Sequence, residues 1–187
     1  VMNRLLSKPF KPSSHTGFRV EDPTFARRSA EIAKTAFPVL CLQVRTGIGH
    51  TSGGKYVGSF ALERFAECSK EVLGGNSSRA RIVIAADDSS ARDTLLSLLR
   101  EFDVVFVDYP SIHSGYDHGC RDGSGKAPTL AAHVHTAAEF MMLTQCDGLI
   151  SSSGSSFGTS GTRLSPSKTA LVFELSNSKD KCPSWRL

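Results

Sequence analysis

The sequence predicts an α/β protein built on a doubly wound, Rossmann-like parallel sheet, and three observations carry that expectation. Short apolar runs recur along the chain, at Val39 to Leu42, Arg81 to Ala86, Val104 to Val107, Gly148 to Ile150 and Thr169 to Leu175. Runs without a polar alternate suit strands covered on both faces, whereas a strand with one wet face alternates. Segments of helical period separate them, so strand and helix alternate, as in βαβ units. The length of 187 residues is enough for one full core and short for two.

Each element follows from local signals. Residues 1–36 read as a Pro- and Ser-rich start and then a helix with Phe25, Ile32, Ala33 and Ala36 on one side, a helical lead-in that Pro38 stops. Residues 37–187 form the Rossmann-like domain. Its first strand is Pro38 to Arg45. A Gly-rich loop follows, then a helix over 57–73 carrying Phe60, Leu62, Phe65, Ala66 and Val72, which Gly74-Gly75 ends. Arg81 to Ala86 is the second strand, and Asp87-Asp88-Ser89-Ser90 supplies cap chemistry for a helix with Leu95, Leu96, Leu98 and Leu99. Val104 to Val107 is the third strand. Residues 109–129 form a long polar loop, of a length that compact domains keep mainly for function. A helix from Leu130 to Gln145 leads to the strand Gly148 to Ile150, a Ser/Gly loop at 151–161 and a last strand over 169–175. In such sheets ligands bind at the carboxyl ends of strands, so the loops starting at Arg45, Asp87 and Ser151 are expected to share one crevice.

Composition narrows the partners. A net charge of +4 with scattered Lys and Arg gives no basic stripe for nucleic acid and leaves an anionic small ligand open. No apolar run is long enough to span a bilayer, and Val1-Met2-Asn3-Arg4 has no signal-peptide pattern, so a targeting segment or anchor is expected outside these residues. The five cysteines leave at least one unpaired whatever bridges form. Cys41 and Cys146, in apolar segments, read as buried small hydrophobes, and no spacing resembles a zinc site. Asn76-Ser77-Ser78 fits the glycosylation acceptor pattern, a pointer to the secretory pathway. His133 and His135, two apart, cannot share a helix face, and His113 and His118 lie in the long loop.

Three motifs compete. Gly49 to Tyr56 satisfies most of the phosphate-binding pattern GxxxxGK[ST], but Tyr56 stands where a magnesium-binding Ser or Thr is required. A P-loop-type nucleotide-binding protein or kinase is therefore one alternative. Gly154-Ser155-Ser156-Phe157-Gly158 fits the elbow of serine hydrolases, which place a histidine later in the chain, and none follows His135. Its bland reading is a flexible loop. The third is a constellation of Arg45 at the end of a strand, Asp87 and Asp88 at the end of the next, Glu139 on a helix, and Ser155-Ser156-Phe157. This set suits a nucleoside diphosphate sugar, with a guanidinium for the diphosphate, an acid for guanine N–H groups, and hydroxyls and backbone amides at a helix start.

The constellation resembles the inverting fucosyltransferases of GT-B fold, among them α1,6-, protein O- and plant cell-wall fucosyltransferases. The likeness covers about residues 38–175. Gln43-Val44-Arg45 resembles the family's His- or Gln-x-Arg strand end, and Ile84-Ala85-Ala86-Asp87-Asp88 its next stretch. Glu139, Asp147 and Ser155-Ser156-Phe157 reproduce without a gap its acid, its Asp eight residues on, and its Ser-Ser-Phe eight beyond that. The resemblance implies that the chain is one lobe of a GT-B glycosyltransferase, binding GDP-fucose as donor for a glycan or protein acceptor, in the Golgi lumen. It implies Arg45 as the catalytic group that grips the leaving diphosphate, and Gln43 and Glu139 as nucleoside contacts. Ser155, Ser156 and Phe157 would bind phosphate and shape the pocket, and Asp87 and Asp88 would line it, with helix capping as the plainer role of the Asp87-Asp88 pair. No cofactor or metal is implied, because a fixed Arg and helix-start amides stabilise charge on the departing diphosphate. Residues 46–56 contain no acid to serve as the general base of some family members, although His50 has a suitable pKa. A donor-binding module without turnover is the remaining alternative.

Overall fold

The computed structural model describes residues 38–46, 59–74, 80–106, 130–164 and 171–187. The helical lead-in, the Gly49 to Tyr56 run, Asn76, and the loop at 109–129 with His113, His118 and Cys120 lie outside the described residues. The apolar runs become strands β1 (Val39–Val44), β2 (Arg81–Ala86), β3 (Asp103–Phe106), β4 (Gly148–Ser152) and β5 (Leu171–Leu175). Helices α1 (Ser59–Val72), α2 (Ser89–Leu98), α3 (Leu130–Leu143) and α4 (Ser156–Arg163) separate them. All four ladders are parallel, and the strand order is β3-β2-β1-β4-β5. The chain is thus an α/β protein with a doubly wound parallel sheet.

Continuous apolarity is explained by cover on both faces. In β1, Leu40, Leu42 and Val44 join one core cluster with Phe65 of α1 and Leu95 of α2. Val39 and Cys41 join the opposite cluster with Ala138, Met142 and Leu143 of α3. The two-residue strand period divides the run between the two layers. The first cluster also takes in Cys182, Trp185 and Leu187 of the segment after β5. That segment runs alongside α1, with Arg64 Nε donating to the Asp180 carbonyl at 2.8 Å and Leu187 N to the Val72 carbonyl at 3.2 Å.

The cysteines correct one expectation. Cys41 and Cys146 are fully buried, but as a disulfide with a Cα separation of 5.7 Å rather than as free hydrophobes. Cys68 and Cys182 form a second, with a Cα separation of 5.0 Å. The partners are 105 and 114 residues apart, and connectivity at such distance leaves no local signature.

The stretch at 151–161 is also more ordered than a loop. β4 continues through Ser151 and Ser152, and α4 begins at Ser156, so only residues 153–155 connect them. Both strand serines are fully buried. Ser151 Oγ donates to Gln43 Oε1 at 3.2 Å and Ser152 Oγ accepts from Arg45 N at 2.9 Å, which offsets the cost of burying hydroxyls. The glycines of α4, poor helix formers, are sites of close approach: a Cβ on Gly158 would lie 3.2 Å from Gln43 Cβ, and one on Gly161 2.7 Å from Leu143 Cβ.

Candidate functional site

Crossovers leave β1 in one direction and return to β4 from the other, so β1 and β4 are the neighbours at which the winding reverses. In open parallel sheets a ligand crevice is expected at the strand ends of such a pair. Gln43, Arg45 and Thr46 come from the end of β1, and Ser152 to Ser156 from the end of β4 and the start of α4. The hydrogen bond from Arg45 N to Ser152 Oγ ties the two sides together.

Ser155 is the N-cap residue of α4, with extended φ −82° and ψ 106°, yet its side chain makes no cap hydrogen bond. The residue is 3% exposed, and its Oγ is buried with no hydrogen-bond partner among the described residues. The first turn of a helix also presents amides that lack intrahelical acceptors and carry partial positive charge. An anion accepting from these amides and from Ser155 Oγ would satisfy both, as phosphates do at helix starts. Ser156 is exposed at the first helical position.

Gln43 is 5% exposed, packed beneath Gly158 and joined to Ser151. Phe157 is partly buried against the second core cluster, its ring meeting Phe140 edge-on at 5.3 Å between centroids and 65° between planes. That contact packs α3 against α4, and Glu139, next in sequence to Phe140 on α3, is buried at 6% exposure.

Asp87 and Asp88 make local contacts. Asp87 Oδ1 accepts from Thr46 N at 2.8 Å and from Thr46 Oγ1 at 3.0 Å, fixing the residue that follows Arg45. Asp88 is the N-cap of α2, its carboxylate accepting from Ala91 N at 3.2 Å and from Ser90 Oγ. Asp147 sits at the opposite end of the sheet, where Oδ2 accepts from Val39 N at 2.8 Å. Glu174 was not singled out by the sequence. Its Oε2 accepts from Gly154 N at 3.2 Å and Ser153 Oγ at 3.3 Å and shapes the turn into α4. An acid within the apolar β5 run was the signal available.

The serine-hydrolase alternative meets a geometric obstacle. A nucleophile elbow holds its serine on a strained turn, whereas among the described residues only glycines have positive φ, Gly154 at 74° included. Ser156 is an ordinary first-turn helical residue. No group of three or more His, Cys, Asp or Glu suited to a metal occurs among the described residues. Among the described residues, carboxyls held below their ordinary range are Glu101, by its hydrogen bond with Lys70, and Asp180, by the Ser176 and Asn177 amides, both away from the ends of β1 and β4. No described helix is long and apolar enough to cross a membrane.

No family model matches the chain, and no curated protein does. Solved structures do. The NodZ α1,6-fucosyltransferase co-crystallised with GDP matches at 15% identity and a TM-score of 0.48, covering 76% of this chain and 41% of that one. The fucosyltransferase NodZ from Bradyrhizobium matches at 16% and 0.49, covering 78% and 43%. POFUT1 in complex with GDP-fucose matches at 11% and 0.45, covering 83% and 47%. The chain spans less than half the length of each of these structures.

Proposed function

We propose that this chain is the donor-binding lobe of a fucosyltransferase-like glycosyltransferase, with GDP-fucose seated in the crevice between β1 and β4. The observation that carries the reading is the buried, unpartnered Ser155 Oγ at the start of α4, across the winding reversal from Arg45. In this reading the diphosphate lies on the α4 amides and the hydroxyls of Ser155 and Ser156, with Arg45 bridging two of its oxygens. Gln43 and Glu139 face the nucleoside, and Glu139 selects guanine by accepting from N1–H and the exocyclic amine, a donor pair adenine lacks. Phe157 closes one wall, while Asp87 fixes Thr46, the residue after Arg45, and Asp88 caps α2.

Inverting transfer would form a bond from an acceptor hydroxyl oxygen to the fucose anomeric carbon as the bond from that carbon to the diphosphate breaks on the other side. The hydroxyl proton passes to a base and GDP departs. Negative charge grows on the leaving diphosphate, where a preset guanidinium and helix-start amides stabilise it most, and no metal is needed. The acceptor, a glycan or protein, belongs to the complete protein. The two cystines support a secretory setting such as the Golgi lumen.

The test is calorimetric titration with GDP, UDP and ATP, for the wild type and Arg45→Lys. Lysine keeps the charge and loses the planar fork, so the folded variant should lose about 1.5 to 3 kcal/mol of GDP affinity. GDP should outcompete UDP in the wild type. A folded Arg45→Lys variant that binds GDP as tightly as the wild type would remove Arg45 from the site, and magnesium-dependent ATP binding would favour the P-loop alternative.

A further inference from the structure

Both disulfides cross the same boundary. Dividing the sheet at the β1·β4 contact leaves β1, β2 and β3 with α1 and α2 on one side, and β4, β5, α4 and the terminal segment on the other, with α3 packed over both. Cys41 lies in β1 and its partner Cys146 just before β4. Cys68 lies in α1 and its partner Cys182 beyond β5. Each cystine therefore has one sulfur on each side.

The boundary has less backbone pairing than its neighbour. The β1·β4 register joins Leu40–Gln43 with Gly148–Ser151, whereas β1·β2 runs the whole of Val39–Val44. Beyond the ladder, Asp147 N donates to the Val39 carbonyl at 2.9 Å, three side chains bridge the strands (Val39 N with Asp147 Oδ2, Ser151 Oγ with Gln43, Arg45 N with Ser152 Oγ), and α1 meets the terminal segment through Arg64 Nε with the Asp180 carbonyl and Leu187 N with the Val72 carbonyl. Cys41 stands two residues before Gln43 on the same face of β1. Its covalent tether to Cys146 fixes the strand that carries Gln43 and Arg45 against the strand that delivers Ser155.

The geometry points to a redox-sensitive latch, in which the two cystines hold the β1·β4 seam closed and thereby position Arg45 against the start of α4. Only the seam itself is inferred independently; its effect on a ligand rests on the donor-binding reading. The latch opens in order. Cys182 is partly exposed, while Cys41, Cys68 and Cys146 have no exposed surface. The thiolate of a dithiol reductant attacks Cys182 Sγ and releases Cys68 as a thiolate. The second reductant thiol then displaces Cys182, so two electrons and two protons pass to the protein and the reductant leaves as a disulfide. Cys41–Cys146 follows only when the seam opens.

The test compares amide hydrogen exchange in the wild type and in Cys41→Ala/Cys146→Ala. Exchange at Asp147, Arg45 and the β1·β4 ladder should accelerate roughly tenfold more than exchange in the β2·β3 ladder, the pattern of local rather than global opening. Equal acceleration in both ladders, or none, would overturn the latch. Should the variant fail to fold, the wild type decides. With free thiols blocked first, brief treatment with a dithiol followed by alkylation should label Cys68 and Cys182 before Cys41 and Cys146, and the reverse order would overturn it. GDP affinity of the folded variant should fall with seam protection. A wild type that binds no GDP would sink the donor reading and leave the seam to be decided by exchange.

Discussion

The two margins of the sheet are made from the same strands and serve different ends. At the margin where strands begin, Arg81 pairs with Asp103 at 2.8 and 2.6 Å, and Asp147 closes on Val39. Gly148 lies under Trp185 and Leu187, where an added Cβ would come within 3.0 Å of both side chains. Apolar contact and the disulfide to the terminal segment hold that margin. At the margin where strands end, Arg45 N bonds Ser152 Oγ, Ser155 N bonds the Ser152 carbonyl and Thr46 bonds Asp87, while the buried Ser155 Oγ has no partner among the described residues. Among the described residues the first margin holds the fold with satisfied groups. On the proposed reading the second is where a ligand would sit, because a buried unsatisfied hydroxyl costs stability until something meets it.

The sharpest way to break this comparison is to cut the terminal segment free. Cys68→Ser/Cys182→Ser should lower stability by about 3 to 5 kcal/mol, the scale for opening a loop of this length. Urea unfolding would measure it, with the fluorescence of the sole tryptophan, Trp185, following the segment itself. An unchanged midpoint would mean that the terminal segment does not hold its margin. A smaller effect, opposite in sign, is expected at the other end. Ser155→Ala removes a buried group with no partner, so the ligand-free protein should gain up to about 1 kcal/mol. GDP affinity should fall in the same variant. Loss of stability instead would show that the hydroxyl is satisfied within the fold and would remove the contrast between the margins.

The smallest effect concerns Asp180, whose carboxylate accepts from Ser176 N at 2.6 Å and Asn177 N at 3.0 Å as the chain leaves β5. These amides hold its carboxyl below the ordinary aspartate range. A folded-state value lowered in this way contributes stability above the unfolded pKa, and that contribution is lost as pH falls through the folded value. Stability of the wild type should decline on the acid side of the aspartate range more than that of Asp180→Asn. The difference should be well below the other two, since the group is only partly buried and its charge is screened by solvent. Parallel acid profiles would take Asp180 out of the segment's anchoring.

The parallel sheet was legible because cover on both faces writes itself as unbroken apolarity, and Arg45 because a charge ending such a run stands out. The buried Ser151 and Ser152 were not, since a hydroxyl satisfied by a partner far along the chain looks like loop chemistry. The start of α4 was legible at Ser155-Ser156-Phe157, but its course was not, since Gly158 and Gly161 lower helix propensity while permitting the contact with Gln43 and Leu143 that stabilises it. Asp87 and Asp88 were legible as a pair at a strand end, and their division into a loop clasp and a helix cap needed coordinates. The two cystines and the packed terminal segment join residues more than a hundred positions apart, a separation no local pattern encodes.

The span of the contacts around the crevice also has a kinetic meaning. Arg45 meets Ser152 across 107 residues, and Gln43 meets Ser151 across 108. Loop closure over such separations must precede any reward from the contact, which makes these pairings late events in folding. A nascent chain that has made β1, β2 and β3 has much of a hydrophobic layer but no second wall to the crevice. Ligand capture would then coincide with the last docking of β4, so the appearance of binding during refolding would time completion of the sheet.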